Sequence, residues 1–180
     1  MKPLELYLHI PFCISKCKYC DFLSAPSEFQ ERQDYVESLC RDIRSYRNLA
    51  EAYVVVSIFL GGGTPSVLTP AQIKDIFKSI KETFQLSGEA EITIEMNPGT
   101  VDKEKLRTYR EVGINRLSIG LQSALDEELK KLGRIHTFEE FLDTYKLARE
   151  AGFHNINIDL MSAIPGQTVE SYEHTLRAVA

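Results

Sequence analysis

The sequence predicts an α/β protein in which strands and helices alternate around a parallel, barrel-like sheet. Three observations carry this expectation. Five apolar-rich segments of strand period are each followed by a segment of helical period across a short loop, the order of right-handed βαβ crossovers. Two stretches, EVGINRLSIG (111–120) and EAGFHNINID (150–159), nearly repeat at an offset of 39 residues, a length that suits one βα unit. The strands also keep one polar face, whereas a parallel strand covered on both sides is apolar throughout.

LELYLHI (4–10) reads as the first strand and 28–49 as the helix after it. VVVSIFL (54–60) is the second strand, and the helix from Pro70 to Phe84 follows. Thr69 is its expected N-cap, Pro70 takes the first helical position and Gln72 completes a capping box. Ile73, Ile76, Phe77, Ile80 and Phe84 share one stripe of that helix. EITIEMN (91–97) is the third strand, leading to a helix near 103–112. INRLSIGLQS (114–123) is the fourth, before a short helix and a longer one over 138–151, with Thr137 and Glu140 in capping-box spacing. NINIDLMS (155–162) is the fifth, and a last helix starts at 168. Gly113 and Gly152 stand just past helix ends, where φ is often positive.

Residues two apart point to one side of a strand. Leu6, Leu8 and Ile10 oppose Glu5, Tyr7 and His9; Ile92 and Ile94 oppose Glu91, Thr93 and Glu95. Leu117 and Ile119 oppose Ser118, Gly120 and Gln122, while Ile156 and Ile158 oppose Asn157, Asp159 and Met161. The apolar face suits packing on helices, and the polar face suits a lumen that holds something polar.

Composition bounds the function. At 180 residues, 43% hydrophobic and 26% charged, the chain is long enough for one sizeable core. No apolar run approaches the roughly 20 residues of a membrane span, and the first residues lack a signal peptide's apolar block, so the expected compartment is the cytoplasm. A formal net charge of -5 argues against broad nucleic-acid binding. Four cysteines in a reducing compartment, with Cys13, Cys17 and Cys20 clustered in HIPFCISKCKYCDF, point to metal or redox chemistry before disulfides.

In α/β barrels reacting groups collect at the carboxyl ends of the strands. Here those ends carry the cysteine loop, Gly61-Gly62-Gly63-Thr64-Pro65, Glu95 with Asn97, Gln122 and Asp159. Three thiolates can hold three irons of a [4Fe–4S] cluster and leave one iron open to a small molecule. A zinc with His9 or Cys40 as fourth ligand is an alternative, and so is a Cys17-Lys-Tyr-Cys20 dithiol, although that leaves Cys13 unexplained. The glycines allow close approach to backbone N–H groups. They match neither a Walker loop nor G-x-G-x-x-G. Glu95 and Asp159 suit ribose hydroxyls or an amine, or else ion pairs with Arg116 or Arg134. Arg134, in LGRIHT, is a loop cation able to pair with a ligand carboxylate.

YLHIPFCISKCKYCDF resembles the cysteine motif of radical S-adenosylmethionine enzymes, specifically the oxygen-independent coproporphyrinogen oxidase family. FLGGGTPS, IEMNPGT, RLSIGLQS, LGRIHT and DLMSAIPGQT extend the resemblance over nearly the whole chain. It implies a partial (β/α) TIM-like barrel of the radical SAM type, with about five βα units present and the barrel incomplete. It implies that residues 1–180 are a radical SAM core truncated before its last strand, without the family's C-terminal domain. Cys13, Cys17 and Cys20 would bind the cluster. Tyr7, Gly62, Glu95, Gln122, Arg134 and Asp159 would contact S-adenosylmethionine, and Tyr19, Gly63 and Thr64 match residues that contact a second molecule of it in the oxidising branch. Reduction of the cluster would cleave the sulfonium.

The oxidases carry a further cysteine two residues after the third; here that position is Phe22. This resembles the heme-chaperone branch, so a cluster-dependent heme chaperone is the expected function. Coproporphyrinogen III decarboxylation and a zinc-stabilised binding module without redox chemistry are the alternatives. The implied partners are heme or a porphyrinogen, a heme acceptor and a reductant such as flavodoxin or ferredoxin. Ala163 departs from the Gly that relatives often place before IPGQ.

Overall fold

A computed structural model describes residues 1–180, and every strand of its main sheet is parallel to its neighbours. The chain runs β1 (Lys2–Ile10), β2 (Phe12–Cys13), β3 (Ala25–Pro26), α1 (Phe29–Ser45), α2 (Arg47–Ala50), β4 (Tyr53–Gly62), α3 (Pro70–Thr83) and β5 (Gln85–Met96). It continues through α4 (Lys103–Val112), β6 (Arg116–Gln122), α5 (Asp126–Leu132), α6 (Phe138–Glu150), β7 (Asn155–Leu160) and α7 (Val169–Val179). The five main strands are ordered β1-β4-β5-β6-β7. Each crossover therefore advances one place in the same direction. With one handedness of connection, the helices gather on one face and leave the other free. This is the α/β, partial-barrel architecture expected from the sequence.

The faces segregate as the alternation requires. Leu8, Ile10, Ile58, Leu60, Ile92, Ile94, Leu117 and Ile119 are buried against helix residues such as Ile73, Ile76, Phe77, Leu106 and Tyr109 in one continuous core. The capping boxes form as expected. The Thr69 hydroxyl accepts from the Gln72 N–H at 3.3 Å while Gln72 accepts from the Thr69 N–H at 3.0 Å. Thr137 and Glu140 repeat the exchange at 3.2 and 2.8 Å. Gly113 and Gly152 end their helices at φ of 108° and 85°.

Three elements differ from the sequence reading. The helix expected over 28–49 is broken at Tyr46, whose N–H bonds to Ile43 O at 3.2 Å, while the Ser45 hydroxyl donates to Asp42 O at 2.7 Å. That hydroxyl competes for the carbonyls the helix needs at its end. β5 begins at Gln85, not at Glu91: Leu86 pairs with Val55, and the register then slips so that Ser57 faces Glu91. The intervening Ser-Gly-Glu hides the strand because a bulge interrupts the alternation. β7 ends at Leu160, so Met161 lies beyond it, its N–H donating to Gln122 O at 2.9 Å. No helix is long and apolar enough to cross a membrane.

Candidate functional site

The cysteine loop is the return from β1 and is anchored on both flanks. Within it, β2 pairs with β3 (Phe12 with Ala25, Cys13 with Pro26), closing residues 14–24 into a loop. Beyond β4, the Gly63 N–H donates to Ile10 O at 2.8 Å and the Thr64 N–H to Phe12 O at 2.7 Å. On the other flank the Lys18 N–H donates to Leu132 O at 2.9 Å, beside Gly133. The His9 ring reaches Leu23 O at 3.0 Å, and the Lys16 ammonium donates to Phe22 O at 3.2 Å.

These anchors explain the glycines more directly than ligand contact does. A Cβ on Gly63 would stand 2.6 Å from Phe12 O, and one on Gly62 would stand 2.6 Å from the His9 ring, with Gly62 already at φ 113°. The N–H groups expected to face a ligand are used within the protein: Gly62 donates to Glu95 Oε2 at 3.0 Å, and Gly63 and Thr64 hold the cysteine loop. The glycine run is a packing device that lets β4, β5 and the loop converge.

A cleft of ≈ 130 Å³ opens at the carboxyl ends of the strands. Cys13, Cys17 and Cys20 line it together with Tyr19, Gly62, Gly63, Thr64, Glu95, Gln122, Arg134 and Asp159. Of the residues expected to hold the cluster or S-adenosylmethionine, Tyr7 alone is not among its walls. It is 60% exposed on the rim, its hydroxyl 3.2 Å from His9 Nδ1 and its ring stacked on Phe59. His9 also has its two ring nitrogens engaged outside the thiol set, and Cys40 is buried in α1 as a packing residue.

Charge is arranged unevenly in the cleft. Neither Glu95 nor Asp159 forms an ion pair; Arg116 approaches Glu91 instead, at 4.0 Å. Burial pushes the Glu95 carboxyl above its usual range, the Gly62 N–H pulls it back, and the negative Asp159 raises it further. Asp159 is held by both oxygens: Ser118 donates at 3.0 Å and Asn157 Nδ2 at 2.7 Å. The Tyr19 hydroxyl is also raised, chiefly by burial, against the lowering effect of Arg134. Two carboxylates without a cation partner form a pocket for a positively charged ligand.

Arg134 is no solvated loop cation. Its guanidinium donates to Asn97 Oδ1 at 2.7 Å and to Gly120 O, and its Nη1 lies 3.5 Å from Cys17 Sγ. Asn97 also donates to Thr64 Oγ1 at 2.9 Å, and the Thr64 hydroxyl in turn lies 3.5 Å from Cys13 Sγ. A hydrogen-bonded arch thus runs Cys17–Arg134–Asn97–Thr64–Cys13 behind the thiols. Asn97, Ser118 and Asn157 are the members whose parts the sequence reading did not assign. Asn97 stands at a strand end, which was the available signal; Ser118 and Asn157 share the lumen face with Gly120, Gln122 and Asp159.

This donor set fits a metal group bound through sulfur. All three thiols are free and partly exposed in the cleft. No three His, Cys, Asp or Glu side chains converge tightly enough to chelate one metal ion. Arg134 and Thr64 stand as donors to two of the sulfurs, as suits thiolates that bind a metal group.

The family model described as the radical SAM superfamily matches residues 7–179. The chain is 41% identical over 178 residues to the Escherichia coli protein named heme chaperone HemW, covering 98% of this chain and 47% of that protein. It is 34% identical to the zebrafish radical S-adenosyl methionine domain-containing protein 1, mitochondrial, covering 96% of this chain and 39% of that one. Among solved structures, that of E. coli coproporphyrinogen III oxidase, HemN, described as a radical SAM enzyme, superposes with a TM-score of 0.91 at 36% identity. The match covers 99% of this chain and 41% of that chain. The chain spans about half the length of the curated relatives it matches.

Proposed function

This chain belongs to the radical SAM superfamily, and we propose that it is the cluster- and S-adenosylmethionine-binding part of a heme chaperone. The family implies both a [4Fe–4S] cluster and S-adenosylmethionine as ligands. Cys13, Cys17 and Cys20 would hold the cluster, and Gly62, Glu95, Gln122, Arg134 and Asp159 would face S-adenosylmethionine, with Tyr7 reaching it only from the rim. When bound, the reduced cluster supplies an electron to the sulfonium.

The chain's own residues do the rest. Glu95 and Asp159 face the sulfonium and ammonium of the ligand, and Ser118 and Asn157 hold the Asp159 carboxyl oriented through both its oxygens. Arg134 and Thr64 direct donors at the Cys17 and Cys13 sulfurs, which orients both side chains toward the cleft. Thiols of this kind persist in a reducing cytoplasm, where a flavodoxin or ferredoxin would serve as reductant and an apo-hemoprotein as heme acceptor.

The observation that carries the heme-chaperone reading is Phe22. It stands 68% exposed on the cleft wall, at the position where the decarboxylating branch has a cysteine. A second reading, radical decarboxylation of coproporphyrinogen III, is favoured by the superposition on HemN at a TM-score of 0.91. Anaerobic reconstitution with iron and sulfide, followed by heme titration and by incubation with coproporphyrinogen III, reductant and S-adenosylmethionine, separates them. The chaperone reading expects stable heme binding without protoporphyrinogen. Turnover to protoporphyrinogen overturns it in favour of the oxidase. A colourless product with one zinc overturns both.

A further inference from the structure

Few buried side-chain polar atoms in the chain lack a hydrogen-bond partner: Ser24 Oγ, Arg32 Nε, Thr83 Oγ1, Tyr109 Oη and Arg134 Nε. Two of them, Ser24 and Arg134, belong to walls of the cleft. Arg134 is occupied through its other nitrogens. Ser24 is not: its residue is only 8% exposed, and its single polar side-chain atom is enclosed and unpaired. A buried hydroxyl gives up water on folding and normally recovers a partner from the protein.

The backbone around Ser24 is held on both sides. Leu23 O meets His9 Nε2 at 3.0 Å, and the Ala25 N–H donates to Pro11 O at 3.1 Å. The residue therefore cannot turn outward to find water without breaking the β2–β3 closure of the cysteine loop. It directly precedes β3, whose Ala25 and Pro26 pair with Phe12 and Cys13, and Cys13, Gly63 and Thr64 line the same cleft. Glu95, Gln122 and Asp159 come from the β5, β6 and β7 ends. A fixed, partnerless hydroxyl beside the thiols is a preorganised hydrogen-bonding group for the part of a ligand that sits on the sulfur side.

We propose that Ser24 is a ligand-binding residue of this cleft, its hydroxyl hydrogen-bonding the ammonium–carboxylate end of S-adenosylmethionine. This rests on the S-adenosylmethionine reading above and adds a contact to it. Glu95 and Asp159 answer the positive charge of the sulfonium and ammonium, but a carboxylate cannot donate to the ligand's own carboxylate. The amino-acid end is the one that needs a partner able both to donate to a carboxylate and to accept from an ammonium, as a hydroxyl can.

The test uses the anaerobically reconstituted chain and three probes: S-adenosylmethionine, methionine, and 5′-methylthioadenosine, which lacks the amino-acid end. Ser24→Ala should weaken S-adenosylmethionine and methionine by about 10- to 100-fold, the worth of one hydrogen bond to a charged group, and leave 5′-methylthioadenosine unchanged. The cluster's absorbance should also be unchanged. In the cluster-free chain, the same substitution should leave the melting temperature level or raise it, because no protein partner is lost. Ser24→Thr, which keeps the hydroxyl, should recover part of the affinity. Equal loss for all three probes, or a lower melting temperature of the cluster-free variant, overturns the proposal by making Ser24 structural. Unchanged S-adenosylmethionine affinity in Ser24→Ala overturns it as well, without touching the broader reading. Failure of the unsubstituted chain to bind S-adenosylmethionine overturns both.

Discussion

Replacing Gly63 by Ala tests whether the glycine run is there for packing. A Cβ at this position would stand 2.6 Å from Phe12 O, 2.9 Å from Phe12 N and 3.0 Å from Ile10 O. All three are backbone atoms, so no side chain can rotate away. Gly63 itself is not at positive φ, so the clash is the whole effect. Overpacking of this kind costs about 1–3 kcal/mol, and with rigid obstructing atoms the upper end, about 3 kcal/mol, is expected. For a domain of this size each kcal/mol moves the melting point by about 2–4 °C, so the loss should be about 6–12 °C. Because Phe12 precedes Cys13, relief of the clash must displace the first thiol, and iron content after reconstitution should fall with stability. Gly88→Ala is the control: nothing lies within 4 Å of its Cβ, and a change within about 1 kcal/mol is expected. Thermal melts and iron assays of the two variants decide the matter. Equal melting points and equal iron loading would refute the packing argument.

Other outcomes follow from single residues. Ala163 sits at φ 60°, so Ala163→Gly should stabilise the chain by about 0.5–1 kcal/mol in urea unfolding, the left-handed penalty less the added unfolded-state freedom. His136 is buried against Leu121 O, and burial with the nearby Arg134 holds its imidazole down to about 4. The unfolded chain takes up this proton from about 6.5 downward, so cluster-free stability should be full above pH 6.5 and fall toward pH 4, at up to about 1.4 kcal/mol per pH unit. His136→Gln should flatten that limb. Glu95 titrates the other way: its folded carboxyl is raised, so its contribution is present at low pH and lost as pH rises through the raised value. Glu95→Gln should therefore raise cluster-free stability at neutral pH while weakening S-adenosylmethionine about tenfold or more in equilibrium binding.

Much of the architecture was legible because its signals are local. Thr69 with Gln72, and Thr137 with Glu140, announce helix starts within four residues, and the two-residue alternation in β1, β5 and β6 declares which face meets helices. The gathering of the thiols, Glu95, Gln122 and Asp159 in one cleft was legible too, since parallel strands deliver all their carboxyl ends to one rim. What the sequence hid depends on contacts between distant residues. The start of β5 is masked by a bulge whose register only Val55 and Ser57 define. The N–H groups of Gly62 and Gly63 look free in sequence, yet Glu95 and Ile10 take them. Tyr7 shares the lumen face of β1, but β1 is an edge strand, and an edge side chain can stand on a rim outside the cleft. The arch through Arg134, Asn97 and Thr64 joins three loops that no periodicity connects.

The central claim is that three thiolates hold a cluster with one iron left for an exogenous amino acid. Mössbauer spectroscopy of the reconstituted chain, recorded with and without S-adenosylmethionine, addresses it most directly. The account predicts a [4Fe–4S] signal in which one iron of the four changes its isomer shift when S-adenosylmethionine is added. Four irons that remain indistinguishable and unmoved by S-adenosylmethionine would contradict it.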